Sequence, residues 1–159
     1  MKANPLPPIS ELRRMFAVRS DGTLIRKLAA GGGRKAGDPV GTLMRGGYLQ
    51  VRIRGKSFLA HRLIWALCNA ADPGGLDVDH IDRDKFNNRP SNLRLATRSQ
   101  NCANKPTRGV HQRKSSGKFQ AYVYKDRSCI HLGMYETADA ARAAHAAAKL
   151  QIFGEYAHV

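Results

Sequence analysis

Between Tyr48 and Arg54 the chain alternates without a break, with Leu49, Val51 and Ile53 on one side and Gln50, Arg52 and Arg54 on the other. A period of two is that of a strand with one buried face; here the outer face is basic. Phe16-Ala17-Val18 and Thr23-Leu24-Ile25 flank Ser20-Asp21-Gly22, a hairpin-turn composition. Gly55-Lys56 turns the chain so that residues 57–60 can pair back. The Pro-rich first ten residues read as loose, and residues 29–39, AAGGGRKAGDP, as a flexible loop. Residues 61–68, HRLIWALC, are dense in apolar side chains and free of glycine and proline. They predict a short buried helix that stops before Asp72-Pro73-Gly74, with Trp65 in the core.

The pattern then changes. Residues 76–82 read as a strand, a polar loop runs through Asn87-Asn88-Arg89-Pro90, and Leu93 to Ala96 is a second short strand. Thr97-Arg98-Ser99 offers N-caps for a helix through Asn101 and Asn104. Lys105-Pro106-Thr107 reads as a linker. Beyond it lie strand candidates at 109–110, 119–124 and 128–132, and Thr137 caps an alanine-rich helix from Ala138 to about Ile152, ended by Gly154. Asp139 sits in its first turn, where the helix dipole favours an anion. The expected fold is α+β in three parts: a β-rich region over 1–60, a strand–loop–strand–helix core over 61–104, and a three-stranded sheet plus helix over 105–159.

Charge narrows the function. The 159 residues include 27 Lys and Arg against 12 Asp and Glu, a net charge of +15. Such a surplus points to a polyanion, because lysine and arginine neutralise phosphates and release counterions. Nucleic acid is favoured over an acidic membrane surface, since no amphipathic basic helix is present. No stretch approaches the ~20 apolar residues of a membrane span. The N-terminus lacks the apolar segment of a secretory signal, which makes cytoplasmic residence the default expectation. Cys68, Cys102 and Cys129 form no C-x-x-C pair, so a disulfide framework and a zinc knuckle are both unsupported. A metal would need other ligands.

Asp79, His80, Asn92 and Asn101 supply a coherent set of them. Phosphodiester hydrolysis needs an activated water and a cation to stabilise charge on phosphate and leaving oxygen. An imidazole can take a proton from water near neutral pH, a role open to His80. Asp79 offers an anionic oxygen and Asn101 a neutral one, a set suited to Mg²⁺, with Mn²⁺ next. Asn92, at the far end of the loop, could orient His80. The ordinary alternatives stand beside these: an Asp-His pair is common, and asparagines in polar loops usually form turns. Adjacent strand residues point to opposite faces, so a shared site requires a strand end or bulge at Asp79-His80.

The segment VDHIDRDKFNNRPSNLRLATRSQNCAN, residues 78–104, resembles the HNH (ββα-metal) motif of phage and intron-encoded homing endonucleases. The preceding HRLIWALCN resembles the helix that leads into it. The resemblance implies Asp79 and Asn101 as metal ligands, His80 as general base and Asn92 as its support. Asparagine rather than histidine at 101 implies a magnesium-type site and no zinc. Asp77, Asp82 and Asp84 receive no role and read as solvated acids.

Residues 108–159 resemble the APETALA/ethylene-response-factor DNA-binding domain through Arg108-Gly109-Val110, residues 117–121, residues 132–137, Ala140-Ala141 and Gly154. That likeness implies a sheet laid in the major groove of double-stranded DNA and a helix packed behind it through Ala141, Ala144 and Ala148. It makes Arg108, His111, Arg113, Lys118, Gln120, Tyr122 and Tyr124 candidates for DNA contact. Arg52, Arg54 and Arg98 add phosphate grip. Phe119 stands where that family has tryptophan, and Phe119 and Tyr122 are equally readable as sheet core. Together these features predict a site-preferring endonuclease, a monomer that nicks, with a dimer needed for a double-strand break. The rivals are a DNA-binding regulator without catalysis and an RNA-binding structural protein, which basic charge alone does not exclude.

Overall fold

The computed structural model describes residues 4–106 and 109–159. The chain divides into two compact units, Met1–Leu95 and Ala96–Val159.

The first unit begins with helix α1, Ile9–Met15, which starts at the end of the ten residues expected to be loose and fills the gap before Phe16. Pro8 precedes its first turn, where a missing N–H costs nothing. Glu11 lies at its positive end and Arg13 and Arg14 at its negative end. Leu12 anchors it in the core at 0% exposure. Strands β1, Phe16–Val18, and β2, Leu24–Arg26, form the anticipated hairpin, Phe16 opposite Arg26. A second sheet, in the order β3–β4–β5, joins Thr42–Leu43, Leu49–Ile53 and Lys56–Leu59, and places Val51 opposite Phe58.

Helix α2, Ala60–Asn69, is buried through Leu67 apart from half-buried Trp65, and only its last residues, Cys68 and Asn69, are exposed. It ends at Ala70, a left-handed residue with φ 53°. Arg62 is buried too, and its guanidinium donates to Leu76 O at 2.6 Å and Gly74 O at 3.0 Å. That fork ties α2 to the approach of strand β6, Asp77–His80. Strand β7, Leu93–Ala96, pairs with β6 after a 3-10 turn at Pro90–Asn92. One core holds Leu12, Phe16, Leu24, Val51, Phe58, Leu63, Ile64, Val78 and Leu93. The expected boundary at residue 60 falls inside one compact unit, Met1–Leu95, because α2 packs against β1, β4 and β5 as well as β6.

In the second unit helix α3, Arg98–Ala103, comes first, then strands β8, Val110–Gln112, β9, Phe119–Lys125, and β10, Ser128–Tyr135. The sheet order is β10–β9–β8, with an irregularity between His131 and Gly133. Helix α4, Ala138–Phe153, is capped by Thr137, whose hydroxyl accepts from Ala140 N, and ends at Gly154. Ala121 and Val123 of β9 and Ala141 and Phe153 of α4 are buried. Small side chains allow this close approach, and Gly109 takes it to the limit: an added Cβ would overlap the His145 ring. Lys149 is buried and donates to His158 O at 2.6 Å and Lys105 O at 3.4 Å. No helix among the described residues is long and apolar enough to cross a membrane.

Candidate active site

Strand β6 carries Val78, Asp79 and His80, all buried, and ends at His80. The loop that follows is organised around Asp82. Its Oδ1 accepts from Asp84 N and from Asn92 Nδ2, both at 2.8 Å, and its Oδ2 from Asn87 Nδ2 at 2.6 Å. Asn92 completes the link: its Oδ1 accepts from Asp82 N at 3.1 Å and its Nδ2 also donates to Asn87 O at 2.8 Å. Burial opposes the Asp82 charge, but the hydrogen bonds from Asn87, Asn92 and Asp84, with nearby His80, hold its carboxyl below the usual range. Asp82 is thus the hub of the loop and not merely a solvated acid.

Asn92 is likewise corrected. It does not hydrogen-bond His80, because it lies where the loop closes on β7, opposite Asp82. The side chain at His80 is that of Asn88, 4% exposed, with Oδ1 3.0 Å from His80 Nε2. Two more rings surround His80. His61 of α2 meets His80 edge-on, ring centres 5.0 Å apart, and Tyr48 lies 6.2 Å away. Lys85 Nζ stands 4.7 Å above the Tyr48 ring and donates to Gly46 O. Burial, with smaller contributions from His80 and Arg62, pushes the His61 pKa down to about 3, so this second imidazole is neutral.

Asp79 turns to another partner. Its Oδ2 accepts from Arg94 Nε and pairs with Arg94 Nη2, each at 3.2 Å, across β6 and β7. The strand ends at His80, as a shared site requires, yet the two side chains engage different neighbours. Asn101 lies on α3 in the second unit, half-buried. Its helix starts with a capping box: Thr97 Oγ1 accepts from Gln100 N and Gln100 Oε1 from Thr97 N. Among the described residues no group of three or more His, Cys, Asp or Glu is placed to hold a metal. Asp79 and Asn101 belong to different units, and each is an oxygen donor of the kind that Mg²⁺ or Mn²⁺ takes alongside water and phosphate.

The candidate DNA contacts separate by unit. In the first, Arg52 is exposed, and Arg54 pairs with Glu11 at 3.0 Å. In the second, His111 stands opposite Gln120, which accepts from Arg113 Nε at 2.6 Å. Lys118 pairs with Glu136. The Tyr122 and Tyr124 rings meet edge-on at 5.6 Å, Tyr124 exposed and Tyr122 half-buried like Phe119. Arg98 lines an open cleft of about 570 Å³ with Tyr124 and Arg127. Arg108 lies outside the described residues.

Asn88, Asp82, His61, Tyr48 and Arg94 escaped the sequence reading. Arg94 left a signal, an arginine inside the apolar run Leu93 to Ala96. Asn88 left none, since a buried loop asparagine has the composition of any turn former.

Residues 58–103, which contain Asp79, His80, Asn92 and Asn101, match the family model HNH_3, described as HNH endonuclease. A curated relative from Acanthamoeba polyphaga mimivirus, "Uncharacterized HNH endonuclease L560", is 36% identical over 102 residues, 61% of this chain and 54% of the relative. "DNA endonuclease I-HmuI" of Bacillus phage SP01 is 32% identical over 102 residues, 64% of this chain and 52% of that protein. The chain spans about half the length of these relatives. A solved structure, "DNA binding and cleavage by the HNH homing endonuclease I-HmuI", aligns with TM-score 0.45 and 27% identity, over 62% of this chain and 55% of that one.

Proposed function

We propose that this chain is a divalent-metal-dependent DNA endonuclease of the HNH homing type, acting as a monomer in the cytoplasm of a bacterial or phage-infected cell. The observation that carries the reading is His80, buried at a strand end, held by Asn88 and next to an Arg94-paired Asp79, inside the segment that matches the HNH model. His80 takes a proton from the attacking water. Arg94 fixes the Asp79 carboxylate, and Asp82 with Asn92 keeps the loop closed behind the base. A cation held by Asp79 and Asn101, Mg²⁺ or Mn²⁺, would supply positive charge to the scissile phosphate and its leaving 3′ oxygen.

One base serves one phosphate, so a monomer nicks. The sheet of the second unit, with His111, Arg113, Lys118, Gln120, Tyr122 and Tyr124, reads duplex DNA in the APETALA manner, and Arg108 is a further candidate contact by sequence alone. Arg52, Arg54 and Arg98 hold phosphates. Supercoiled plasmid with Mg²⁺ tests the catalytic reading. Wild type converts it to nicked circle, while His80→Ala is slower by roughly 100-fold or more. Equal relaxation by the two proteins removes His80 from the mechanism. Retention of duplex DNA without cleavage under any divalent ion leaves a binding protein.

A further inference from the structure

The His80 ring is held by more than its strand. The atom of Asn88 that faces Nε2 at 3.0 Å is Oδ1. An amide oxygen only accepts, so this contact is a hydrogen bond when the ring carries its proton on Nε2, which leaves the lone pair of a neutral ring on Nδ1. At 4% exposure, Asn88 has little water to replace that bond, and losing it would strand a buried acceptor.

We propose that Asn88 is the positioning residue that sets the His80 tautomer, and that the hairpin turn at Gly22 holds Asn88 in place. Gly22 adopts φ +86°, and a Cβ added there would overlap the Asn88 carbonyl and the Arg89 nitrogen. The turn between β1 and β2 therefore packs directly on the peptide that carries Asn88, at a spacing and backbone conformation suited to glycine. Its shape is closed by Gly22 N donating to Arg19 O at 3.0 Å and Thr23 N to Asp21 Oδ1 at 2.8 Å. His61 and Tyr48 stand against the ring and limit its rotation. Asn92 has the separate task of tying the two ends of the loop through Asp82. The N-terminal hairpin is on this account part of the catalytic apparatus.

The catalytic consequence rests on the nuclease reading; the tautomer does not, and it is measured first. Histidine labelled with ¹⁵N, in the intact protein above pH 8 where imidazoles are neutral, gives long-range ¹H–¹⁵N patterns that distinguish the two tautomers. The His80 signal is assigned by its absence in His80→Ala. Wild type is expected to show Nε2–H, Asn88→Asp to retain it because a carboxylate only accepts, and Asn88→Ala to show mixed tautomers. Asn92→Ala is expected to keep Nε2–H. An Nδ1–H pattern in wild type, or an unchanged Nε2–H pattern in Asn88→Ala, overturns the inference. Should Asn88→Ala fail to fold, wild type and Asn88→Asp still decide it, since loss of Nε2–H in either is a refutation. In the plasmid assay Asn88→Ala is expected to lose about 10- to 100-fold in kcat with little change in KM, and Asn88→Asp to recover most of it. A wild type that shows Nε2–H but never cuts refutes the nuclease reading alone.

Discussion

His61 is a buried imidazole whose neutral form the fold selects. Its pKa of about 3 in the folded protein, against the ordinary histidine value of 6.5, means that the unfolded chain binds the extra proton between those values. Stability therefore rises with pH across that window and is fully present above about 6.5. It is lost progressively as the pH falls toward 3, by an amount on the order of a few kcal/mol. His80 and Arg62 add to the depression and Asp77 opposes it. Urea melts between pH 7 and 4 should show wild type losing stability with acid, and His61→Phe losing clearly less. Arg94 invites a second test. Its removal leaves Asp79 as a buried carboxylate without its ion-pair partner, so Arg94→Ala should cost about 3–5 kcal/mol in the same melts. A loss under 1 kcal/mol would mean that water replaces the guanidinium.

At the scale of elements, patterns with a clean period were readable and side-chain partners were not. The alternation of Leu49, Val51 and Ile53, the apolar run of α2 and the Thr137-to-Gly154 helix follow from periodicity and capping, and the structure has them. Helix α1 was missed because its proline-rich approach looked like a loop, although Pro8 only marks its start. The site was half legible. Asp79 and His80 are marked by residue type, whereas which asparagine meets the His80 ring, Asn88 and not Asn92, depends on how a turn folds in three dimensions. Local capping is testable: Thr97→Ala removes the capping box of α3, and should weaken that helix by about 1 kcal/mol. Hydrogen exchange at the amides of residues 100–103 would report it as faster exchange there than elsewhere. Gly22→Ala should act farther away. Strain at positive φ and the overlap with Asn88 predict a lower melting temperature and slower nicking, both beyond what Gly74→Ala produces, whose added Cβ meets nothing within 4 Å.

For the whole molecule, the proposed binding to DNA would draw on the net charge of +15. Affinity for duplex DNA should fall linearly with the logarithm of salt concentration, with a slope of about −0.9 per phosphate contacted. Fluorescence anisotropy on the full chain should show that Arg52→Ala reduces the slope by about 1, whatever the sequence of the duplex. An unchanged slope would remove Arg52 from the interface.

The buried lysine of α4 has a consequence for the path of the chain. Lys149 holds Lys105 O and His158 O together, and His158 N donates to Ala103 O at 3.1 Å. The strand of chain leaving α3 and the segment at Ala157-His158 thus meet at one seam. Within this unit the seam works as a clasp: stretches far apart in chain order are fastened at one point, and shortening Lys149 would loosen both sides together.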